Sequence, residues 1–323
     1  MELFDKITEN VVVHENQGYA FYFKYNDIII EKVNGKVSTI DSDDISFNSC
    51  FRLASVSKQF IGCGIISLVE KGLLSFDTCI LDIYEDLPNY FKNIKIINLL
   101  NHSSGIYDYE DMTHSDIQIH DEDILDFLKT TNTTYFEVGT KYRYSNTAYI
   151  LLGLIIEKVS NIKLDIYLKE EVFLKAGLVN TLVNYEGITN IKNRAYGHIL
   201  HNNELIVKDQ YWCSATIGDG GIYSTLNDLN KWVDYLIDNI EYYQNNLLKE
   251  IILTNVTNTY YGMGIRTINI NNKKIYYHCG DTIGTNTLVL FSKDYNLRCI
   301  FLTNINQIDT GIIKNNILKI INE

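Results

Sequence analysis

Hydrophobic and polar positions divide the chain into three stretches. Between Gly18 and Ile40, aromatic and β-branched residues alternate with polar ones, and turn residues fall at Asn26-Asp27 and Asn34-Gly35. That period of two predicts two or three antiparallel strands. From Ser55 the period changes: Val56, Phe60, Ile61, Ile65, Ile66, Leu68 and Val69 share a broad helical face, and Lys71-Gly72 supplies a stop. The middle, 75–255, reads as mainly helical, with candidates in INLLNH, DEDILDFLKTT, NTAYILLGLIIEKVS, LDIYLKEEVFLKA and LNDLNKWVDYLIDN. Strand signals return in YYGMGIRTINI, KIYYH, TLVLFS and LRCIFLTNI, followed by an amphipathic helix from about Asp309 to Asn322.

Strands at both ends around a helical middle predict an α+β fold, with one antiparallel sheet built from both chain ends and flanked by helices. The expected organisation is a single domain, 1–323, with two lobes: 1–74 and 256–323 carry the sheet, and 75–255 is mainly helical. Pro88 is the one proline, and neither a linker nor an internal repeat interrupts the chain.

Composition narrows the function. The 323 residues are 46% apolar, enough to fill a core, and the formal net charge is −12. Phosphate binding needs clustered Lys and Arg, so nucleic acid and anionic membrane surfaces are not expected partners. The N-terminus lacks a basic segment followed by an apolar run, and the longest apolar run, Tyr149 to Ile156, is far below the roughly 18 residues that span a bilayer. The six cysteines form no C-x-x-C pair, which predicts free thiols and, with the missing signal, a cytoplasmic location. His198 and His201 have no acidic or cysteine companions, so no metal is expected, and no motif calls for a cofactor.

The chemistry begins with FRLASVSKQF, residues 51–60. On a helix, Ser55 and Lys58 lie three apart on one face, which suits a hydroxyl nucleophile and an amine base. A tetrapeptide of this form arises by chance about once in such a chain. A second copy, Ser160 to Lys163, sits at the polar end of a predicted helix.

Company distinguishes the first copy. Tyr144-Ser145-Asn146 opens a predicted helix, and His278-Cys279-Gly280 lies on a C-terminal strand. With Ser55-x-x-Lys58 these resemble, in order and spacing, the three motifs of the serine β-lactamase and penicillin-binding protein superfamily, especially the class C β-lactamase-like branch with its esterases and D-amino-acid peptidases. Tyr243-Gln244-Asn245 and Lys175-Ala176-Gly177 also fit two of the short patterns, so the resemblance rests on order, spacing and the predicted elements together. The stretches 97–109 and 218–232 add to the resemblance, which covers about residues 18 to 305.

The resemblance implies a β-lactamase/transpeptidase-like fold and a cofactor-independent serine hydrolase that forms an acyl-enzyme on an ester, amide or D-amino-acid peptide bond. The expected substrate is thus a small-molecule or peptide acyl compound. Ser55 is the implied nucleophile and Lys58 its base. Tyr144 is the implied proton relay, stabilised as a phenolate by Lys58 and His278. Asn146 would hold Lys58 or a substrate carbonyl, or cap its own helix. His278 would line the cleft from a sheet edge, Gly280 would let substrate lie against the strand, and the backbone N–H groups of Ser55 and Asp281 would bind the oxyanion.

Some positions depart from the pattern. His278 stands where relatives usually have Lys, Asp281 replaces a small residue and could repel anions, and Val138 replaces a proline. Cys279 should face away from the cleft. Two alternatives use the same fold: a catalytically idle binding or regulatory module, and an acyltransferase. Oligomeric state is not legible.

Overall fold

The computed structural model describes residues 2–11, 17–41, 43–111, 117–185, 188–202 and 204–322. Its centre is an eight-stranded antiparallel sheet. Across the sheet the strands run Ile28–Asn34, Tyr19–Tyr25, Leu297–Thr303, Thr285–Ser292, Lys273–Thr282, Arg266–Ile270, Thr259–Tyr261 and Ile252–Leu253. The first hairpin turns at Asn26-Asp27, with Asn26 in the left-handed region at φ 52°, a conformation asparagine tolerates in tight turns. Its inner strand pairs with the last strand in the register Tyr19↔Thr303 to Tyr25↔Leu297, so the two chain ends are joined through the sheet.

Both faces of the sheet are covered. Helices Leu3–Ile7 and Thr310–Ile320 bury Phe21, Phe23, Leu288, Leu290 and Phe301 on one side. The larger core, on the other, takes Ala20, Val289, Phe291, Ile300 and Leu302 against helices from the middle of the chain. Burial on both sides explains why TLVLFS is a continuous apolar run rather than an alternating one.

Two helices carry the centre of the larger core. Lys58–Glu70 is buried along nearly its whole length and ends at Gly72 in the left-handed region. Asn146–Ser160 is buried from Thr147 to Ile156, starts under a Ser145 cap and ends at Asn161, also left-handed. A third helix, Leu226–Asp238, brings Trp232 into the core, 4.8 Å from Phe60 between ring centroids, with its indole N–H donating to Gln59 Oε1 at 3.1 Å.

The expected α+β architecture is present, with three local differences. The helix expected from Ser55 begins as a 3₁₀ turn, Ala54–Ser57, before becoming α-helical at Lys58. The helix read from LDIYLKEEVFLKA is α-helical over Leu164–Leu168 and continues as a π turn, Lys169–Phe173. The span 75–255 is less purely helical than its periodicity suggests. Leu182–Val183 and Ile222–Ser224 pair in a small sheet with Phe51–Arg52, His198–His201 pairs with Glu204–Val207, and Ile252–Leu253 already belongs to the main sheet. These strands are two to four residues long, too short for a period of two to stand out. Among the described residues no helix is long and apolar enough to cross a membrane.

Trp232 is fully buried and its only polar atom is satisfied. Trp232→Ala is expected to cost roughly 3–5 kcal/mol by opening a cavity and leaving Gln59 unpaired. A urea denaturation curve of the variant should show the lowered midpoint; a midpoint equal to wild type would place the core elsewhere.

Candidate active site

The turn carrying Ser55 is held from two sides. Leu53 N–H donates to Ile222 O at 2.8 Å, and Thr287 Oγ1 donates to Leu53 O at 2.8 Å. Between them Ala54 adopts φ 48°, a left-handed conformation that costs an alanine roughly 1–2 kcal/mol. The strain sits immediately before Ser55, where packing against the sheet over-determines the backbone. That packing requires Gly280: a Cβ there would lie 2.2 Å from Leu53 O and 2.3 Å from Thr287 Oγ1. Besides the expected role of letting substrate lie against the strand, the glycine makes room for the Ser55 turn.

Lys58, on the first turn of its helix, is fully buried. Its Nζ donates to Ser55 Oγ at 3.0 Å, Asn146 Oδ1 at 2.8 Å and Asp219 O at 2.8 Å. Burial lowers its pKa to about 8; the carboxylates of Asp219, Asp108 and Glu110 oppose the drop, and Arg266 adds to it. No carboxylate oxygen bonds the amine directly among the described contacts, because Asp219 offers its carbonyl.

Asn146 does not cap its helix. Ser145 does, accepting from Ala148 N at 3.1 Å, because the chain becomes helical only at Asn146. The Asn146 amide is thereby free to accept from Lys58 and to donate through Nδ2 to Glu110 Oε1 at 2.7 Å. Its backbone N–H is fixed by Asp108 Oδ2 at 2.8 Å.

Tyr144 places its ring 5.0 Å from Lys58 Nζ and 5.5 Å from the Arg266 guanidinium carbon. Its buried hydroxyl lacks a hydrogen-bond partner of normal geometry among the described residues, although Ser55 is close enough to pull its pKa down. Burial outweighs this and the pull of Arg266, and raises the phenol well above 10.

His278 departs from expectation in two ways. Its strand, Lys273–Thr282, lies inside the sheet and not at an edge; its partner Arg266–Ile270 pairs only as far as Tyr277, so residues beyond are open on that side. The imidazole is also not a cation. It is 2% exposed, and burial, Arg266 and Lys58 hold its pKa well below 6.5. Nδ1 is 2.7 Å from its neighbour's carbonyl, Cys279 O, and so carries the proton, leaving Nε2 to accept from the Tyr261 hydroxyl at 3.0 Å. The ring stands behind Tyr144, 6.1 Å between centroids. Cys279 packs on the opposite face of the sheet, as the alternation of a strand dictates.

Ser55, Asn146 and Asp281 open onto one cavity of about 280 Å³, whose walls also include Arg52, Glu110 and Asp219. Lys58, Tyr144, His278 and Gly280 are not among its wall residues, and Tyr144 lines a separate cavity together with Arg266. His198 is buried, with Nε2 accepting from Thr39 N at 3.0 Å, so it serves the fold. All six cysteines are free thiols.

Four participants escaped the sequence reading as individuals. Asp108 and Asp219 lay inside the stretches 97–109 and 218–232, but nothing in their neighbourhood marked the acids themselves. Glu110 lies just beyond the first stretch. Arg266 left one usable signal, a cation in the otherwise apolar and polar-neutral strand pattern YYGMGIRTINI.

A family model described as Beta-lactamase matches residues 19–319. The chain is 29% identical over 329 residues to penicillin-binding protein 4* of Bacillus subtilis (strain 168), covering 94% of this chain and 70% of that one. It superposes on the crystal structure of a penicillin binding protein from Bacillus halodurans with TM-score 0.85 at 24% identity, covering 99% of both. The D-amino acid amidase of Ochrobactrum anthropi SV3, complexed with L-phenylalanine, gives TM-score 0.80 at 20% identity, covering 98% of this chain and 96% of that one. At such identities the structural likeness speaks for the fold.

Gly280→Ala tests the packing that presents Ser55. The added methyl must displace the Leu53 carbonyl, at a cost of about 1–3 kcal/mol, and should slow covalent labelling of Ser55 by much more than its effect on the melting temperature would suggest. Unchanged labelling kinetics would remove Gly280 from the site.

Proposed function

The chain belongs to the beta-lactamase family of serine hydrolases, and we propose that Ser55 is its nucleophile, acting on an amide or peptide bond through an acyl-enzyme. The observation that carries this reading is the contact of Lys58 Nζ with Ser55 Oγ at 3.0 Å, made by an amine whose pKa lies at about 8. At pH 7 about one molecule in ten then has a neutral lysine, able to take the serine proton without a histidine.

In this reading neutral Lys58 accepts the Ser55 proton as Oγ adds to the carbonyl carbon. Backbone N–H groups of Ser55 and Asp281 face the developing oxyanion. The C–N bond then breaks, the amine leaves with the proton of Tyr144, and Ser55 holds the acyl group as an ester. A tyrosinate now stands beside protonated Lys58. It takes a proton from water, hydroxide adds to the ester, and Lys58 returns its proton to Ser55 Oγ as the acid departs. Asn146 keeps Lys58 aimed at Oγ. Arg266, a permanent cation beside the Tyr144 ring, replaces His278 as the second charge that steadies the tyrosinate. His278 acts through Tyr261, whose hydroxyl it orients.

The two sheet-bearing ends, 1–74 and 256–323, and the span 75–255 are proposed to be lobes of one catalytic domain. Each supplies indispensable parts: Ser55, Lys58 and Gly280 from one, Tyr144, Asn146 and Asp219 from the other. Amide substrates are favoured because a relative of the same fold is a D-amino acid amidase. A cytoplasmic location belongs to the same reading and is supported by the six free thiols.

Ser55→Ala should abolish labelling by a small fluorophosphonate and lower turnover by about a thousandfold or more, with the fold intact; labelling that persists would unseat Ser55. Because Lys58 must lose its proton, kcat/KM should rise with pH through about 8. Arg266 lowers the lysine pKa, so Arg266→Met should move this limb to higher pH. A limb that stays in place, or moves down, would show that another group controls it.

A further inference from the structure

The Tyr144 hydroxyl has no hydrogen bond of normal geometry among the described residues to fix its direction, so the chain around it must carry the aim. Both sequence neighbours of Tyr144 are tied to one residue, His102. The His102 carbonyl accepts from Arg143 N at 3.0 Å, and its Nδ1 accepts from Ser145 N at 3.1 Å. The segment leading to Tyr144 lies along the residues after His102: Gly139 N donates to Ser103 O at 2.9 Å, and Tyr135 N to Gly105 O at 2.7 Å. The fully buried imidazole is wedged between two rings of the site, its centroid 4.4 Å from that of Tyr144 and 4.4 Å from that of Tyr261.

Two features of His102 are unfavourable in themselves. Its backbone is left-handed, at φ 62°, a region that histidine and asparagine enter more readily than most residues. Burial, Lys58 and Arg266 hold its pKa well below 6.5, so the ring is neutral. Because Nδ1 accepts from Ser145, Nε2 carries the proton, and that N–H is buried with no hydrogen-bond partner among the described residues. An unpaired buried donor is a penalty that an apolar side chain would avoid. Backbone strain and an unsatisfied donor at one residue point to what it does for its neighbours. Asn146, on the other side of Ser145, has an anchor of its own, since Asp108 Oδ2 accepts its N–H at 2.8 Å.

Resting on the reading of Tyr144 as the proton relay, we infer that His102 is its positioning residue: carbonyl and Nδ1 hold the chain on either side of Tyr144, and the ring backs the phenol, so that the hydroxyl stays beside Ser55. His102 is not on the wall of the cavity at Ser55 and exchanges no proton in this role. Its effect is confined to the steps that use Tyr144. Lys58 meets Ser55, Asn146 and Asp219 through contacts that do not pass through His102. Addition of Ser55 Oγ to a carbonyl whose leaving group needs no proton therefore proceeds without it. Hydrolysis of the acyl-enzyme, where Tyr144 takes the proton of water, does not.

4-Nitrophenyl acetate separates the two steps. Its nitrophenolate leaves without a proton, so the initial burst reports acetylation of Ser55, while the steady rate and the mass of the acetylated protein report release. His102→Leu, which lacks the acceptor, should keep acetylation within about threefold of wild type and slow release by about tenfold or more, so that the acetyl adduct accumulates. His102→Gly keeps the left-handed turn without acceptor or ring; it should behave in the same way and stands in for the leucine variant if that one does not fold. His102→Asn, whose Oδ1 can take the place of Nδ1 and whose backbone tolerates the turn, should bring release back to within about threefold. Unchanged release in a folded His102→Leu or His102→Gly overturns the inference while the hydrolase reading stands. So does a fall of acetylation and release together, in step with a lowered melting temperature, or a His102→Asn that releases acetate as slowly as the variants without an acceptor. Failure of wild-type Ser55 to take the acetyl group brings down the hydrolase reading first, and this inference with it.

Discussion

A buried lysine without a directly bonded carboxylate organises this molecule. Burying an ammonium is tolerated only when its protons find acceptors, and Lys58 finds three, at positions 3, 88 and 161 residues away. Lowering its pKa from 10.5 to about 8 corresponds to roughly 3 kcal/mol of discrimination against the charged form. That penalty weighs on the native state below about pH 8 and is relieved as pH rises toward 10.5, since the unfolded chain holds the proton longer. A salt bridge at Nζ would remove the penalty and the reactivity together. Acids set one bond away, behind a carbonyl and an amide, moderate the charge without trapping the proton.

The remaining geometry follows from presenting a hydroxyl to that amine. Ser55 reaches it because the preceding residue is forced into a left-handed turn, and the turn is pressed against a strand that can accept it only at a glycine. The sheet supplies the rigidity: its central strands are buried on both faces and are tied to the opposite chain end through the Tyr19–Tyr25 pairing. The strain at Ala54 is therefore supported by contacts between residues more than two hundred positions apart, such as Thr287 Oγ1 with Leu53 O.

Much of this was legible in the sequence, for identifiable reasons. Long periodic segments such as 58–70 and 146–160 announce themselves because their burial is repetitive, and the three short motifs gained meaning from their order on those elements. What stayed hidden depends on tertiary placement. The cap of the 146–160 helix fell on Ser145, one residue before the expected Asn146, because both residues are good caps and only the arriving chain decides. Asp219 contributes a carbonyl to the site, which any residue could do, so its side chain gives no warning. The glycine of the third motif also leaves room for the protein's own backbone at Leu53, a contact that only the tertiary placement reveals.

The same limit applied to His278, and its correction changes the electrostatics of the site. A histidine in the third motif suggests a charge that switches near neutral pH. Burial among Tyr261, Tyr144 and Lys58, with Arg266 adding a like charge, removes that option, because protonating the ring would add a third cation to an already desolvated cluster. The positive field at Tyr144 comes instead from a guanidinium that does not titrate in the accessible range. The phenol, raised by its own burial, therefore meets a field that is constant with pH, and the state of the site near neutrality is set by Lys58. The basic groups at Tyr144 thus respond to a single ionisation near neutrality, although four basic side chains, Lys58, Arg266, His102 and His278, crowd around the tyrosine.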